Sequence, residues 1–285
     1  MNSPKKDRFS KATFAILIAF IVWGLVGLVL HPIEATSFWG VGLGAVAAVL
    51  FVLAMDIRNL GLKNGLLAFI TIAVVTFGAV LLNHLRGWPF GLLTYHDILG
   101  WKILGGIAWP IPAFWVFMGN AAFLLMRPKE MRYDVKLLFS WAFDTGLTVM
   151  LAALIIEPIM TDTTAQVWAV PGAIMGTPIS CFIGWFLTAF VAAFVAILLI
   201  KPWLHENVPA PRFLTFAMSG LSLLGFGAAT RLTLVPVQLL CLISTAYFAW
   251  SFRKASKQLK QTVAETPRET PPAEQPPAAK ESSSM

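Results

Sequence analysis

The sequence predicts an all-α protein, a polytopic bundle of about eight transmembrane helices with a disordered C-terminal tail. Composition is the first reason: of 285 residues, 58% are hydrophobic and only 12% are charged, whereas soluble domains carry about 25% charged residues. The mean hydropathy is +0.75, and the charged residues lie between long apolar runs. One run, residues 179–200, contains no charge and is long enough to cross the hydrocarbon core, which takes about 20 residues.

Each long apolar run predicts one helix. The first, residues 12–30, follows four basic residues, but it is longer than the apolar core of a signal peptide, about 7–15 residues, and no small-residue cleavage site follows it. We therefore expect a retained first helix. The other spans are predicted at residues 38–55, 65–83, 107–126, 137–157, 179–200, 213–230 and 232–251. Because the last two join tightly around Arg231, a count of seven spans is an alternative.

The fourth span is the least regular. Its N-terminal part reads Trp109-Pro110-Ile111-Pro112, and proline suits the first turn of a helix because its missing N–H would be unpaired there anyway. Residues 100–108 would then form an interfacial or re-entrant lead-in. Such a segment is allowed at membrane depth only where protein or water covers its backbone.

The distribution of basic residues predicts the orientation. Of the 21 Lys and Arg residues, only Arg86, Lys102 and Arg231 fall on the side opposite the N-terminus, which leaves 18 on the N-terminal side. Because cytoplasmic segments carry the excess of Lys and Arg, we expect a multi-pass protein of the cell membrane with both termini in the cytoplasm. The basic residues flank apolar runs and form no continuous patch, so the net charge of +7 indicates topology and not a nucleic-acid partner.

Two domains are predicted, a transmembrane helical domain at residues 1–254 and a cytoplasmic tail at residues 255–285. The tail is rich in Pro, Glu, Ala, Ser and Lys, so it cannot bury enough apolar surface to fold. Cys181 and Cys241 both lie inside apolar runs. They are interpreted as small hydrophobic residues, not as a disulfide or a metal site.

Carboxyl groups within the apolar spans are the most informative polar residues. Asp144 lies inside the fifth span and Glu157 at its end, and an ionisable group at membrane depth costs at least about 2.5–3.5 kcal/mol on insertion scales. A helix-packing hydrogen bond is an equal alternative for Asp144, and a partly solvated helix end is one for Glu157. Since no P-loop, dinucleotide-binding glycine motif, zinc-protease motif or C-x-x-C pair occurs, we expect neither a cofactor nor a metal.

Polar and aromatic side chains gather in the central part of the chain. On the predicted outer side lie His84, Arg86, Tyr95, His96, Asp97 and Lys102. A partly desolvated carboxyl at this boundary, with access to protons, is suited to act as a general acid. Tryptophans also cluster here, at positions 88, 101, 109, 115, 168 and 185. Aromatic walls suit a long polyene and stabilise a cation, although a membrane aromatic belt explains at least half of them.

Two blocks in this part resemble a family of membrane carotenoid-biosynthesis proteins. The first is Trp88-Pro89-Phe90-Gly91 followed by Tyr95, Leu99-Gly100, Pro112 and Trp115. The second comprises LIIEP at residues 154–158 and GTPISCFIGWF at residues 176–186. The family includes hydratases that add water to acyclic carotenoid ends, such as bisanhydrobacterioruberin and γ-carotene hydratases. The resemblance covers roughly residues 80–200.

The resemblance implies acid-catalysed hydration without a cofactor. Protonation of the terminal double bond gives a tertiary carbocation that water captures. Glu157 is then the expected acid, with Asp162 or His96 helping to position water. The expected substrate-binding residues are Tyr95, Trp115, Trp168, Phe182 and Trp185. The implied partners are an acyclic carotenoid or another isoprenoid substrate, membrane lipid, and other enzymes of the carotenoid pathway.

The chain departs from the family pattern at several positions. Ala153 stands where the family usually has a first Asp, Glu157 replaces the second Asp, and Cys181 replaces an Asn. Only Trp168 remains of a W-x-W pair. Two alternatives therefore stand beside the hydratase: an isoprenoid-modifying enzyme with different end-group chemistry, and a non-catalytic carotenoid- or lipid-binding membrane protein. A transporter is less favoured, because we find no inverted repeat or pair of broken helices.

Overall fold

The computed structural model of this chain describes residues 4–30, 37–128, 134–200 and 212–265. Within them the chain forms eight helices: α1 (Pro4–Leu30), α2 (Ser37–Leu60), α3 (Leu62–Arg86), α4 (Pro110–Leu125), α5 (Val135–Asp162), α6 (Ile179–Ile200), α7 (Arg212–Arg231) and α8 (Val235–Glu265). A short 3-10 helix covers Asp97–Leu99. The four strands described are β1 (Leu93–Tyr95), β2 (Lys102–Ile103), β3 (Ile107–Ala108) and β4 (Gln166–Trp168).

This architecture confirms the all-α membrane bundle. Five stretches of the described helices are long and apolar enough to cross a bilayer: Gly42–Leu60, Leu62–Arg86, Val135–Asp162, Ile179–Ile200 and Phe213–Arg231. Three shorter apolar stretches lie at Lys11–Val26, Pro110–Leu125 and Val235–Ser251. The 16 residues of α4 extend over about 24 Å, less than the hydrocarbon thickness of about 30 Å.

The helices pack as one bundle with an apolar exterior. Helix α1 packs on α2 and α7, α2 on α3 and α4, and α3 and α5 both pack on α6, while α7 pairs with α8. Large apolar side chains remain exposed on the outward faces of α3 and α6, among them Ile70, Val74, Leu187 and Val191. Outward-facing apolar side chains are expected where lipid replaces water as the solvent.

Most of the helices extend beyond the predicted spans, and the fourth span begins later than predicted. The fourth span begins at Pro110, not at residue 107, because Ile107–Ala108 pair with Lys102–Ile103 in a hairpin. The predicted lead-in therefore contains a β2–β3 ribbon. The last two helices are separate, since α7 ends at Arg231 and α8 begins at Val235. Helix α8 continues to Glu265, across the predicted domain boundary at residue 254.

Several predictions fall on residues that the structure does not describe, or are left open by it. Residues 266–285 of the predicted disordered tail lie outside the described residues, as do residues 1–3. The cytoplasmic placement of both termini stays a prediction.

The alternation of the helices brings the ends of α3 and α5 and the starts of α4 and α6 to one end of the bundle. We call it the site end.

A loop with a buried Phe90 follows α3 at the site end. Gly87 ends the helix with a positive φ of 69°, and its N–H donates to the Asn83 carbonyl oxygen at 2.7 Å. The Asn83 side chain then holds the returning chain, because its Oδ1 accepts from the N–H of Phe90 at 2.9 Å and its Nδ2 donates to the Gly91 oxygen at 2.9 Å. Strand β1 continues from this loop and pairs antiparallel with β4.

Far from this loop, Asp56 is a buried carboxyl in α2. It is completely buried, next to the close approach of α2 to α3, where a Cβ added to Gly65 would lie 2.7 Å from the Asp56 carbonyl carbon. Within the described part of the chain, neither carboxyl oxygen has a hydrogen-bond partner. An ionised carboxyl in this position is strongly unfavourable.

We expect Asp56→Asn to raise the thermal stability of the purified protein in detergent. The substitution removes the ionisable group at nearly constant volume, and the gain should be about 1 kcal/mol or more. Asp144→Asn is the matched control: Asp144 is partly exposed and accepts a hydrogen bond from Ser140 at 3.2 Å, so no gain is expected there. Tryptophan-fluorescence melting measures both. A lower midpoint for Asp56→Asn would contradict the prediction and assign the carboxyl a stabilising contact.

Candidate active site

Helix α5 and strand β4 supply the polar side chains of the candidate site. Glu157 lies near the end of α5 and is 5% exposed, so it is not the partly solvated helix end that was the alternative. After the helix ends at Asp162, the chain returns as β4. Successive strand residues point to opposite faces, so Gln166 and Trp168 are buried while Val167 between them is exposed.

The carboxyl of Glu157 is held by neutral hydrogen-bond donors. Its Oε1 accepts from the indole N–H of Trp185 at 2.7 Å, and its Oε2 accepts from the amide of Gln166 at 2.5 Å. The thiol of Cys181 also hydrogen-bonds to it. None of these three partners carries a positive charge, so none of them forms an ion pair that would hold the group in its ionised form.

A threonine on the next turn of α5 connects this carboxyl to Trp168. The Thr161 hydroxyl oxygen accepts from the Trp168 indole N–H at 3.0 Å and from the Gln166 amide at 3.3 Å. It also lies 3.2 Å from the hydroxyl of Thr177, which is completely buried. The network therefore fixes the orientation of Gln166, and so the position of the carboxyl that Gln166 contacts.

Three aromatic rings stack beside Glu157. Trp185 lies between Phe90 and Trp115, with ring centroids 4.2 Å and 3.7 Å away and interplanar angles of 26° and 20°. Phe90 approaches because residue 184 is glycine: a Cβ there would lie 2.6 Å from the Phe90 ring. Since both faces of Trp185 are covered, its indole contributes the N–H that orients Glu157, and no free face remains for a cation.

An apolar groove lies next to this site on the surface of the site end. Its volume is about 390 Å³, and it is lined by Gly91, Leu92, residues 169–173 and residues 178–180. Three lining residues, Gly91, Ala169 and Ser180, are chain neighbours of Phe90, Trp168 and Cys181. Gly91 itself lies against Trp168 and Ser180. The groove is therefore lined by residues next in the chain to three residues of the site.

The structure brings together most of the expected site residues, but not all of them. Trp115, Trp168, Phe182 and Trp185 are buried in the same core, and Tyr95 is half-buried opposite Gln166. His96 is instead exposed and accepts at Nδ1 from the Ile98 N–H at 3.3 Å, which caps the 3-10 helix. Asp162 is exposed at the end of α5. Neither hydrogen-bonds to Glu157, so their role with water stays a prediction.

Asp97 next to His96 belongs to the surface. It forms an ion pair with Lys102 at 2.6 Å, and the hydrogen bond and positive charge of Lys102 lower the pKa of the Asp97 carboxyl. It therefore remains ionised at neutral pH and is unsuited to donate a proton. Among the residues that the structure describes, no three His, Cys, Asp or Glu side chains are grouped as metal ligands would be.

Sequence reasoning missed Gln166 and Thr161. The available signal was the alternation in Gln166-Val167-Trp168, which places the two buried side chains on one face of a strand. Ala153 lies one helical turn before Glu157 and is completely buried. Because Ala153 has a methyl group where the family usually has an Asp, Glu157 has no neighbouring carboxyl at that position. Cys181, which replaces the Asn of the family pattern, contacts Glu157 with a thiol. The side-chain amide that contacts Glu157 belongs instead to Gln166.

Comparisons with known proteins place the chain in a family. Over 123 residues it is 28% identical to the bisanhydrobacterioruberin hydratase of Haloarcula japonica, and this alignment covers 42% of the chain but only 40% of that relative. No solved structure matches the chain. The profile of the family described as carotenoid biosynthesis protein matches residues 40–247. This range contains the Glu157 site and five complete helices, α3 to α7. The chain therefore belongs to the carotenoid biosynthesis protein family.

Proposed function

We propose that this membrane protein is a cofactor-independent carotenoid hydratase of the lyase class. It adds water to the terminal double bond of an acyclic carotenoid end group, and Glu157 is the acid. The observation that carries the proposal is the buried Glu157 carboxyl, held by Trp185 and Gln166 at 2.7 and 2.5 Å. An apolar groove lined by Gly91 and Ser180, the chain neighbours of Phe90 and Cys181, supports it. The hydratase of Haloarcula japonica supports the same reaction class.

The reaction needs a proton donor that works beside an apolar chain. Protonated Glu157 gives its proton to the less substituted carbon of the double bond, which leaves a tertiary carbocation and a carboxylate. Water forms the new C–O bond, and the proton that it loses returns to the carboxylate. The sum is one alkene and one water giving one tertiary alcohol, and no electron acceptor is required.

Gln166 suits a carboxyl that alternates between two protonation states. A side-chain amide has both donor and acceptor ends. Its N–H groups can donate to the Glu157 carboxylate, and after a rotation its oxygen can accept the O–H of the carboxylic acid. Lys or Arg in this place would offer donors only and would favour the carboxylate.

The aromatic residues divide between two tasks. Because Phe90 and Trp115 cover Trp185, we assign Trp185 to the orientation of Glu157. Trp168 faces Gly91 at the border of the groove, so its ring is the one placed to contact the end group and to stabilise positive charge, as aromatic faces do.

Expression of the chain in cells that make lycopene tests the proposal. We expect a product heavier by one water, and with H₂¹⁸O in the medium the product should carry ¹⁸O in its new hydroxyl group. Cells carrying the empty vector are the control. Lycopene that co-purifies unchanged would contradict hydration and favour a binding protein. A modified product without added oxygen would favour another isoprenoid end-group reaction.

A further inference from the structure

Tyr95 lies beside Gln166, the residue whose amide holds the Glu157 carboxyl. In the β1–β4 ribbon it is directly opposite Gln166, and directly opposed side chains share one face, with their Cβ atoms about 4.5–5.5 Å apart. Gln166 in turn donates to Glu157. Burial raises the pKa of the Tyr95 phenol well above its ordinary value, and the nearby Glu157 and Cys181 contribute in the same direction. The phenol therefore keeps its proton throughout the physiological pH range.

Tyr95 also lines a small cavity. The volume of about 10 Å³ is close to the smallest space that holds one water molecule, roughly 10–15 Å³. The lining residues are Val80, Asn83, His84, Phe90, Leu93, Tyr95 and Gly106. The cavity and the candidate site share a wall, because Phe90 also stacks on Trp185.

Among the described side chains that line this cavity, Asn83, His84 and Tyr95 are polar. The Asn83 amide is already engaged with the backbone of Phe90 and Gly91. We therefore assign the Tyr95 hydroxyl and the His84 imidazole as the side-chain partners of a water molecule there. His84 is exposed near the end of α3 and passes closely over Gly106, where a Cβ would lie 2.0 Å from its ring. Because His84 is the exposed residue of this lining, we place the entrance from the solvent beside it.

We propose that His84 and Tyr95 form the path by which water reaches the Glu157 site, with Tyr95 as the residue that positions the water. This inference rests on the proposed hydratase function. When water captures the carbocation, its oxygen forms the C–O bond and one of its protons moves to the Tyr95 oxygen. The phenolic proton of Tyr95 moves toward the Glu157 carboxylate, which restores the acid. Each turnover consumes one water, and neither Tyr95 nor Glu157 is changed at its end.

The test compares Tyr95→Phe with Tyr247→Phe in membranes supplied with lycopene. Tyr247 lies on the exposed face of α8 near Trp250, so it receives the same substitution away from the site. We expect Tyr95→Phe to lower kcat at least tenfold with little change in KM, and to alter the ratio of rates in H₂O and D₂O. Tyr247→Phe should leave all three unchanged.

A second variant tests the cavity without changing a polar group. Val80→Ile adds one methylene group to the wall of a cavity that has room for about one water. We expect a lower kcat with an unchanged KM here too. Both variants should be confirmed as folded by their melting midpoints.

The outcomes separate the path from the function. If the wild-type chain forms no hydrated product, the proposed function fails and the path fails with it. If the wild type forms product and Tyr95→Phe and Val80→Ile match its kcat and solvent isotope ratio, only the path is overturned. A rise in KM alone for Tyr95→Phe would also overturn it, because Tyr95 would then be a wall of the substrate site.

Discussion

Glu157→Gln is expected to abolish the hydrated product while the helix bundle stays folded. An amide cannot donate the proton that starts the reaction, and loss of a general acid typically lowers the rate by about 10²–10⁴-fold. The fold should survive because Gln has nearly the same shape, and the amide of Gln166 can rotate to present its oxygen to the new N–H₂ group. The measurement is the amount of hydrated carotenoid from lycopene-producing cells at matched protein levels.

Asp144→Asn is the control for this experiment. Asp144 lies on the same helix as Glu157, but it hydrogen-bonds to Ser140 at 3.2 Å and has no contact with the aromatic stack. We expect it to retain the wild-type amount of product. Hydration that persists in Glu157→Gln would remove Glu157 as the acid, and a loss in both variants would point to a general effect on the helix.

Trp185→Phe is expected to lower activity strongly although the aromatic stack persists. Phenylalanine can still lie between Phe90 and Trp115, but it has no N–H for Oε1 of Glu157. Leaving one buried acceptor unpaired should cost about 1–3 kcal/mol of stability. We expect at least a tenfold loss of product, because the carboxyl loses one of the contacts that orient it. Trp185→Leu should be worse in both respects, since it also removes the stacking.

Trp141→Phe provides a closely matched control. Like Trp185, Trp141 is buried and stacks on an aromatic ring at an interplanar angle of 20°. Its indole N–H donates to the Phe123 carbonyl oxygen at 2.7 Å. It lies near the start of α5, about 24 Å along the helix from Glu157. Trp141→Phe should therefore lower the melting midpoint by a similar amount and retain activity. Equal losses of activity in the two variants would show that Trp185 acts through stability alone.

The spans could be predicted from the sequence because hydrophobicity along a segment is a local property. A run without charge such as residues 179–200 can satisfy its backbone in lipid only as a helix, and α6 covers these residues. The start of the fourth span could not be predicted equally well. It depends on the pairing of β2 with β3, and strands of two residues leave no recognisable periodicity.

The importance of Glu157 was also accessible from the sequence, since a carboxyl in an apolar run requires a compensating partner. Its partners were not. Trp185 is 28 residues away along the chain, and Gln166 reaches the carboxyl only because the chain reverses after α5. His96 and Asp162 show the opposite case: they are near the site in sequence, but their side chains are exposed.

Composition and residue order were sufficient for the membrane embedding, the helical fold class and the carboxyl around which the site is built. These depend on the free energy of transferring each segment into lipid, which is nearly independent of the other segments. The partners of Glu157, the covered faces of Trp185 and the cavity beside Tyr95 depend on how distant segments pack. For example, Ser180 donates to the carbonyl oxygen of Phe90 across 90 residues at 2.9 Å. Contacts of this kind arise only when the loop after α3, strand β4 and helix α6 meet at one end of the bundle.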